Sequence, residues 1–426
     1  MRKMDYQNVR GTQDYLPEQE IVRRRIRRTL EDTFIDYGCK PLETPILNYT
    51  DLMSSKYGGG AEILQEMYTL TDRGERDLAL RYDLTIPFAK VVAMHPTISM
   101  PFKRYEIGKV FRDGPIKAGR FREFTQCDVD IVGVSSQVAE AELMMMCLTV
   151  FEKLQLDVSI QYNNRKLLTG MLEVLQTPID KLNRVVLTID KLEKIGVKGV
   201  IDELIEQGLS SHNIQAIEAF LQASNNRSYN YFEQYAKDNE QVQQGLAEIQ
   251  ELDEYLNYLG IQQQCIFNPF LARGLEIYTG TIYEIFLQSG VIQSSIGSGG
   301  RYDNAIAGLL GTTDSFSTVG ISFGLDVIYT ALEMSDGAKD KTSNIDLYII
   351  PIDTLKESLF LATELRKQGM KVELEMSNKK LTKAMNKANK EQYPFVIILG
   401  EQEVSTNSYK TKNMKTGEEI VKSFVF

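Results

Sequence analysis

The sequence predicts an α+β fold: an antiparallel sheet with helices packed on it, a helical insertion, and a C-terminal α/β domain. Three observations predict it. Residues 102–133 alternate apolar and polar positions on either side of an Asp113-Gly114-Pro115 turn, the pattern of a half-buried hairpin. From about Arg165 to Gln264 the chain turns to charged helical stretches with little strand signal. Beyond residue 343, short apolar runs alternate with amphipathic ones, as strands and helices do in layered domains.

Composition bounds the function. A chain of 426 residues suggests two or three domains and buries a core easily. Hydrophobic residues make up 43% and charged residues 25%, as in soluble globular proteins. Cys39, Cys127, Cys147 and Cys265 lie far apart with no CxxC pair. That argues against a zinc site or disulfide framework and fits a reducing, cytoplasmic compartment. The first residues have no apolar stretch of signal-peptide type, and no apolar run reaches the length of a membrane span, so no membrane partner is expected. A net charge of −10 argues against gripping nucleic acid over the whole surface but leaves room for local basic patches.

In chain order, a Gly- and Pro-punctuated entry at residues 8–17 leads to a helix from about Glu18 to Tyr37. Its apolar stripe is Ile21, Ile26, Leu30, Phe34 and Ile35. Gly38–Leu47 reads as a strand, and Glu66–Leu70 with Leu78–Arg81 as a pair around a polar turn. Asp83 and Thr85 then share one side of an extended segment, where a carboxylate and a hydroxyl can accept from a substrate ammonium. Capping of a helix running to Val92 is the alternative. The hairpin follows: Tyr105–Phe111 as one strand, Arg112 at its end, Lys117, Arg120 and Arg122 in the loop, and Gln126–Val132 as the return. Gln126, Asp128 and Asp130 share one face. A cationic tip above an acidic floor suits a ligand with phosphates at one end and an amine at the other; an ordinary solvated hairpin has the same pattern.

Ser136–Leu154 reads as a helix with a Met-rich core run, and Ser210–Ala223 and Gln241–Leu259 as helices of the insertion. Strand character resumes at Cys265–Phe267 and over Leu271–Glu284, which carries Arg273. A buried arginine needs an anionic partner, either Asp130 or Glu284 in a structural bridge, or a substrate anion. A Gly-rich loop, Gly297–Asp303, precedes a strand running into a helix at Thr318–Val327. Ser335–Ser343 reads as a linker. After it come a strand at Ile345–Ile350, a helix at Thr354–Gln368, a strand at Val372–Glu375, a basic helix at Leu381–Lys390 and a strand at Phe395–Leu399. The lysines from Lys379 to Lys415 suit a phosphate backbone or simply a solvated face.

Arg112, then Gly119-Arg120-Phe121-Arg122-Glu123-Phe124, Gln126 and Asp130 resemble motif 2 of class II aminoacyl-tRNA synthetases, specifically the histidyl-tRNA synthetase family. Residues 20–47 resemble motif 1, Arg273–Gly280 and Gly297–Asp303 the histidine signatures, and residues 318–333 motif 3. The resemblance implies a class II catalytic domain over residues 1–334, with an insertion at about 165–264 that leans on the tRNA acceptor arm, a linker at 335–343 and an anticodon-binding-like domain at 344–426. It implies a homodimer built through motif 1, and a ligase that activates L-histidine with ATP to histidyl-adenylate and pyrophosphate, then passes histidine to tRNA(His), with Mg²⁺ escorting the polyphosphate. Arg112 and Arg273 become catalytic, and Arg112, Arg120 and Phe124 bind ATP. Asp83, Thr85, Gln126, Asp130, Arg273, Tyr278 and Tyr302 become the histidine contacts, with Asp130 and Tyr278 bracketing the imidazole.

The chain also departs from the pattern. Motif 3 has Asp326-Val327 where the family has Glu-Arg, and that arginine holds the γ-phosphate of ATP. Glu276 and Ile277 replace Asp and the first Tyr of the histidine signature. These departures leave two rivals: a non-charging histidine-binding paralogue, such as a regulatory subunit of ATP phosphoribosyltransferase, and a ligase for another amino acid.

Overall fold

A computed structural model of the chain describes residues 6–55, 61–116, 119–223, 226–272, 277–312, 316–335, 344–377 and 379–425. They form two compact units, residues 1–335 and 336–426.

The first unit holds eleven strands among its described residues: β1 Lys40–Pro41, β2 Leu47–Tyr49, β3 Thr69–Thr71, β4 Asp77–Leu80, β5 Phe102–Phe111, β6 Glu123–Val132, β7 Val158–Asn164, β8 Cys265–Phe267, β9 Thr281–Leu287, β10 Gly297–Arg301 and β11 Thr318–Gly324. Eight of them make one sheet in the order β1-β5-β6-β11-β10-β9-β7-β8, and β2, β4 and β3 make a small one beside it. The large sheet is antiparallel except where β1 meets β5 and β7 meets β8. This is the expected antiparallel sheet flanked by helices.

The period-2 alternation of β6 decides its two faces. Cys127, Val129 and Ile131 point into the main core with Ile26, Leu30 and Phe34 of the helix Pro17–Asp36 and Met144 and Val150 of the helix Val138–Lys153. Asp128 and Asp130 are therefore on the opposite face. The register fixes their neighbours: Asp128 lies across from Glu106 and Ser322, and Asp130 across from Arg104 and Gly320. Helices of the insertion, among them Arg165–Val174, Ser211–Gln222 and Glu240–Tyr258, extend the same core through Leu167, Ile217 and Leu252.

Three strand expectations change. Gly38–Leu47 pairs with the large sheet only at Lys40–Pro41, since Pro41 has no N–H to continue a ladder. The strand expected from Leu271 begins at Thr281; residues 271–272 and 277–280 lie outside any strand, and Arg273 lies outside the described residues. The Gly-rich segment at residue 297 is no loop but the central strand β10. Its glycines are needed there by close approach: a β-carbon on Gly299 would sit 2.0 Å from the Gly320 carbonyl oxygen.

In the second unit, β12 Leu347–Pro351 pairs in parallel with β13 Val372–Leu374 and β14 Phe395–Leu399, and β15 Ser408–Asn413 and β16 Glu419–Ser423 add an antiparallel edge. The last two strands were not foreseen. Separate apolar clusters cover this sheet, one around Leu361, Leu365 and Ile397, the other around Tyr348, Ala384 and Val396. Among the described residues no helix is long and apolar enough to cross a membrane.

Candidate active site

The polar face of β6, β11 and β10 floors a cavity. Asp83, Thr85, Asp128, Asp130, Ile277, Tyr278, Ser298, Tyr302 and Ser322 line it. Glycines make the room. A β-carbon on Gly320 would lie 2.0 Å from Asp130 Oδ1, and one on Gly300 2.9 Å from the Tyr278 ring. Tyr278 and Tyr302 pack with Phe88 of the helix Thr85–Met94. Asp83 stands just before that helix and accepts from the Ile86 N–H at 3.1 Å. Thr85 opens that helix and is not part of an extended segment, so the helix-start reading of Asp83 holds, and both residues line the cavity as well.

One guanidinium organises the acids. Arg104 is fully buried, with Nη2 2.7 Å from Asp130 Oδ2, Nη1 3.6 Å from Glu106 Oε2, and its plane 4.3 Å over the Phe88 ring. Tyr302 donates its hydroxyl to Asp130 Oδ1. Burial still raises the Asp130 carboxyl above the ordinary range, against the pull of Arg104 and Tyr302. Burial pushes Asp128 up to about 8, with the neighbouring Asp130 charge adding to it and Arg104 opposing. Asp83 is pushed up to about 6 by burial, against the Ile86 N–H and Arg112. Asp128 Oδ1 and Gln126 Oε1 are buried acceptors with no hydrogen-bond partner. An acid-rich floor with unused acceptors suits a cationic ligand group.

The cationic side adjoins it. Arg112 follows β5, donates from Nε to the Tyr82 carbonyl at 2.9 Å, and holds its guanidinium 5.3 Å from the Phe124 ring. Arg120, half exposed on the β5–β6 loop, lies 3.7 Å from Glu66. Motif 3's altered pair has two separate roles. Asp326 is buried at the start of the helix Leu325–Met334. It pairs with Arg23, accepts from the Tyr15 hydroxyl, and accepts the Thr125 N–H at 2.7 Å. It thereby ties the first helix, β6 and the last helix of the unit together. Val327 packs on Gly119 of the β5–β6 loop.

The cavity therefore brings together Asp83, Thr85, Asp130, Tyr278 and Tyr302. Gln126 is outside its lining but donates from Nε2 to the lining Ser322 hydroxyl at 2.7 Å. Arg112 and Phe124 stand together, Arg120 apart on its loop, and Arg273 outside the described residues. Sequence reasoning missed Arg104, Ser298 and Ser322, and did not single out Asp128 as a ligand. The signal for Arg104 is its place in the apolar alternation of β5, opposite Asp130. Among the described residues no group of three or more His, Cys, Asp or Glu side chains could hold a metal ion.

The chain is similar to known proteins along its whole length. The family described as histidyl-tRNA synthetase matches residues 11–328, and the anticodon-binding domain family matches residues 346–424. Histidine–tRNA ligase 2 of Shouchella clausii is 60% identical over all 426 residues, covering 100% of both chains. Histidine–tRNA ligase 1 of Bacillus thuringiensis subsp. konkukian is 56% identical over 418 residues, covering 98% of this chain and 97% of the relative. The crystal structure of histidyl-tRNA synthetase from Nostoc sp. PCC 7120 superposes with a TM-score of 0.85 at 28% identity, covering 99% of this chain and 97% of that one.

Proposed function

The chain belongs to the histidyl-tRNA synthetase family, and on that premise we propose that its cavity activates histidine for transfer to tRNA(His). It is a histidine–tRNA ligase of class II. One carboxylate oxygen of histidine attacks the α-phosphorus of ATP in line; an O–P bond forms, the bond to pyrophosphate breaks, and histidyl-adenylate results. The terminal ribose hydroxyl of tRNA then attacks the histidyl carbonyl, and AMP leaves. Such a displacement needs positioning and charge neutralisation more than covalent help.

On this reading Asp83, Thr85 and Gln126 take the amino acid's α-amino and carboxylate end, and Asp130 and Tyr278 bracket the imidazole against Tyr302. Asp130 accepts one ring N–H, and the Tyr278 hydroxyl meets the other nitrogen. Arg112 grips the α-phosphate as a bidentate fork, held in place by its bond to the Tyr82 carbonyl. Phe124 stacks on adenine and Arg120 meets the polyphosphate. By family resemblance Arg273 is the second cation for the α-phosphate. Mg²⁺ arrives with the polyphosphate, whose oxygens hold it. The second unit meets the anticodon arm, the helical insertion leans on the acceptor arm, and the enzyme works as a cytoplasmic homodimer through its motif 1 region.

The observation that carries the reading is the acid floor of Asp83, Asp128 and Asp130 beside the Arg112–Phe124 pair. It gives an ammonium and an imidazole acceptors at one end and a phosphate a fork at the other. The test is ATP–pyrophosphate exchange with each amino acid in turn. Histidine alone is expected to support exchange. Exchange with a different amino acid, or none with any, overturns the assignment.

A further inference from the structure

Asp128 is the carboxyl of the cavity that the assigned roles leave idle. It is 3% exposed and lines the cavity, yet its Oδ1 has no hydrogen-bond partner. A buried acceptor left unmet costs free energy, and native folds retain few of them. Of its neighbours, Ser322 on β11 hydrogen-bonds the carboxyl, which still leaves Oδ1 unmet. Across β5, Glu106 is taken by Arg81 at 2.7 Å and by the Thr44 N–H at 2.9 Å. Arg104 is turned to Asp130. Tyr302 also donates its hydroxyl hydrogen bond to Asp130. From the far wall Asp83 faces the same space, its Oδ1 occupied by the Ile86 N–H.

We propose that Asp128 is a further substrate contact, with Oδ1 accepting an N–H of the α-ammonium of bound histidine. An ammonium has three donors. Asp83 and the Thr85 hydroxyl supply two acceptors on one wall, and Asp128 supplies a third from the floor. Asp130, already loaded by Arg104 and Tyr302, is left to the ring. Burial, with the adjacent Asp130 charge, keeps Asp128 protonated at neutral pH against Arg104 and the Ser322 hydrogen bond. An ammonium set against it reverses that balance, so histidine binding releases a proton from Asp128 to the buffer. The inference rests on the reading of the cavity as a histidine site.

The test is calorimetric titration of the full-length protein with histidine, without ATP, in two buffers of different ionisation enthalpy. Near pH 7 the native protein is expected to release close to one proton per histidine bound, falling towards none as pH rises past about 8. Asp128→Asn is nearly isosteric and is expected to abolish the release and weaken histidine about ten- to a hundredfold. A second probe, imidazole propionate, lacks the ammonium; Asp128→Asn should leave its affinity unchanged. Equal losses for both probes would move Asp128 to the ring and overturn the proposal. So would a native protein that binds histidine with no buffer dependence, a result that needs no variant to fold. Absence of histidine binding by the native protein would instead overturn the histidine-site reading itself.

Discussion

Val327 packs directly on Gly119: a β-carbon built on the glycine would lie 3.1 Å from both Cα and Cγ2 of Val327. The β5–β6 loop thus rests on the helix that begins at residue 325, at the position where the family carries its γ-phosphate arginine. Gly119 also has φ +71°, which favours glycine. Gly119→Ala should therefore shift the loop that bears Arg120 and raise the KM for ATP. Val327→Arg should lower that KM and leave kcat nearly unchanged, since the restored group would touch only the γ-phosphate, away from the reacting bond. Val327 is half-buried, so the longer side chain has an outward path. Exchange kinetics against ATP concentration check both. An unchanged KM in a folded Val327→Arg would mean that the loop closes the route to the γ-phosphate.

The proposed imidazole contact of Asp130 and its structural pairing with Arg104 can be separated. Asp130→Asn should cost about 1–3 kcal/mol in histidine binding, the loss of one charge-assisted bond. Removing its partner by Arg104→Met leaves Asp130 and Glu106 buried with less positive charge between them, and should cost about 3–5 kcal/mol of stability. Equilibrium histidine binding checks the first and urea unfolding the second. Unweakened binding in Asp130→Asn would take the imidazole away from Asp130.

Local chemistry decided what was legible in the sequence. Cys127, Val129 and Ile131 alternate with Gln126, Asp128 and Asp130 because one face of β6 is core and the other cavity, so the hairpin and its polar floor could be read from spacing alone. β10 could not. Its Gly-Ser-Gly-Gly run lacks the branched side chains that mark strands, and it is a strand because Gly320 and Tyr278 come too close for a β-carbon. Arg104 was harder to see: only the register of the hairpin, which sets it opposite Asp130, distinguishes its buried guanidinium from a solvated one. β15 and β16, reading SYKTKN and EIVKS, are polar edge strands whose pairing rather than composition makes them strands.

Stability should depend on pH through the same acids. Asp83 and Asp128 bind their protons more tightly in the fold, at about 6 and about 8 against an ordinary 3.8. Their contribution is therefore fully present below the unfolded value and is lost as pH rises through each folded value. Measured without histidine, the protein should weaken as pH goes from about 5 to about 9. Asp128→Asn should remove the upper part of that fall, making the variant the more stable protein above pH 8 while it binds histidine less well. Urea unfolding at about pH 6 and about pH 9 checks the sign; an identical fall in native and variant proteins would discard it.

The two units have separate apolar clusters, so a chain ending at Ser335 should keep its core. The truncated protein should form adenylate, because the described histidine- and ATP-facing residues all precede that point. It should lose tRNA affinity, and the salt dependence of what remains should be shallower, because phosphate contacts by the lysines of the second unit are gone. Pyrophosphate exchange and tRNA binding at two salt concentrations check this. Charging of tRNA as efficient as that of the full chain would give the second unit a different partner.

Arg112 tests the chemistry itself. Its side chain is oriented by the Tyr82 carbonyl at 2.9 Å and the Phe124 ring at 5.3 Å, so it is set before substrate arrives. A preorganised fork that meets charge developing around the α-phosphorus acts on the transition state more than on bound ATP. Arg112→Ala should lower the rate of adenylate formation by about 10²–10³, as when one such donor is deleted. Arg112→Lys should recover little, since an ammonium is a point charge and the α-phosphate needs two parallel donors. Phe124→Ala, by contrast, should act mainly on the KM for ATP. Single-turnover adenylate formation separates these effects from product release. A rate unchanged in Arg112→Ala would remove the arginine from the reaction. Silence of the native protein at saturating ATP, with histidine still bound, would return the chain to the non-charging paralogue.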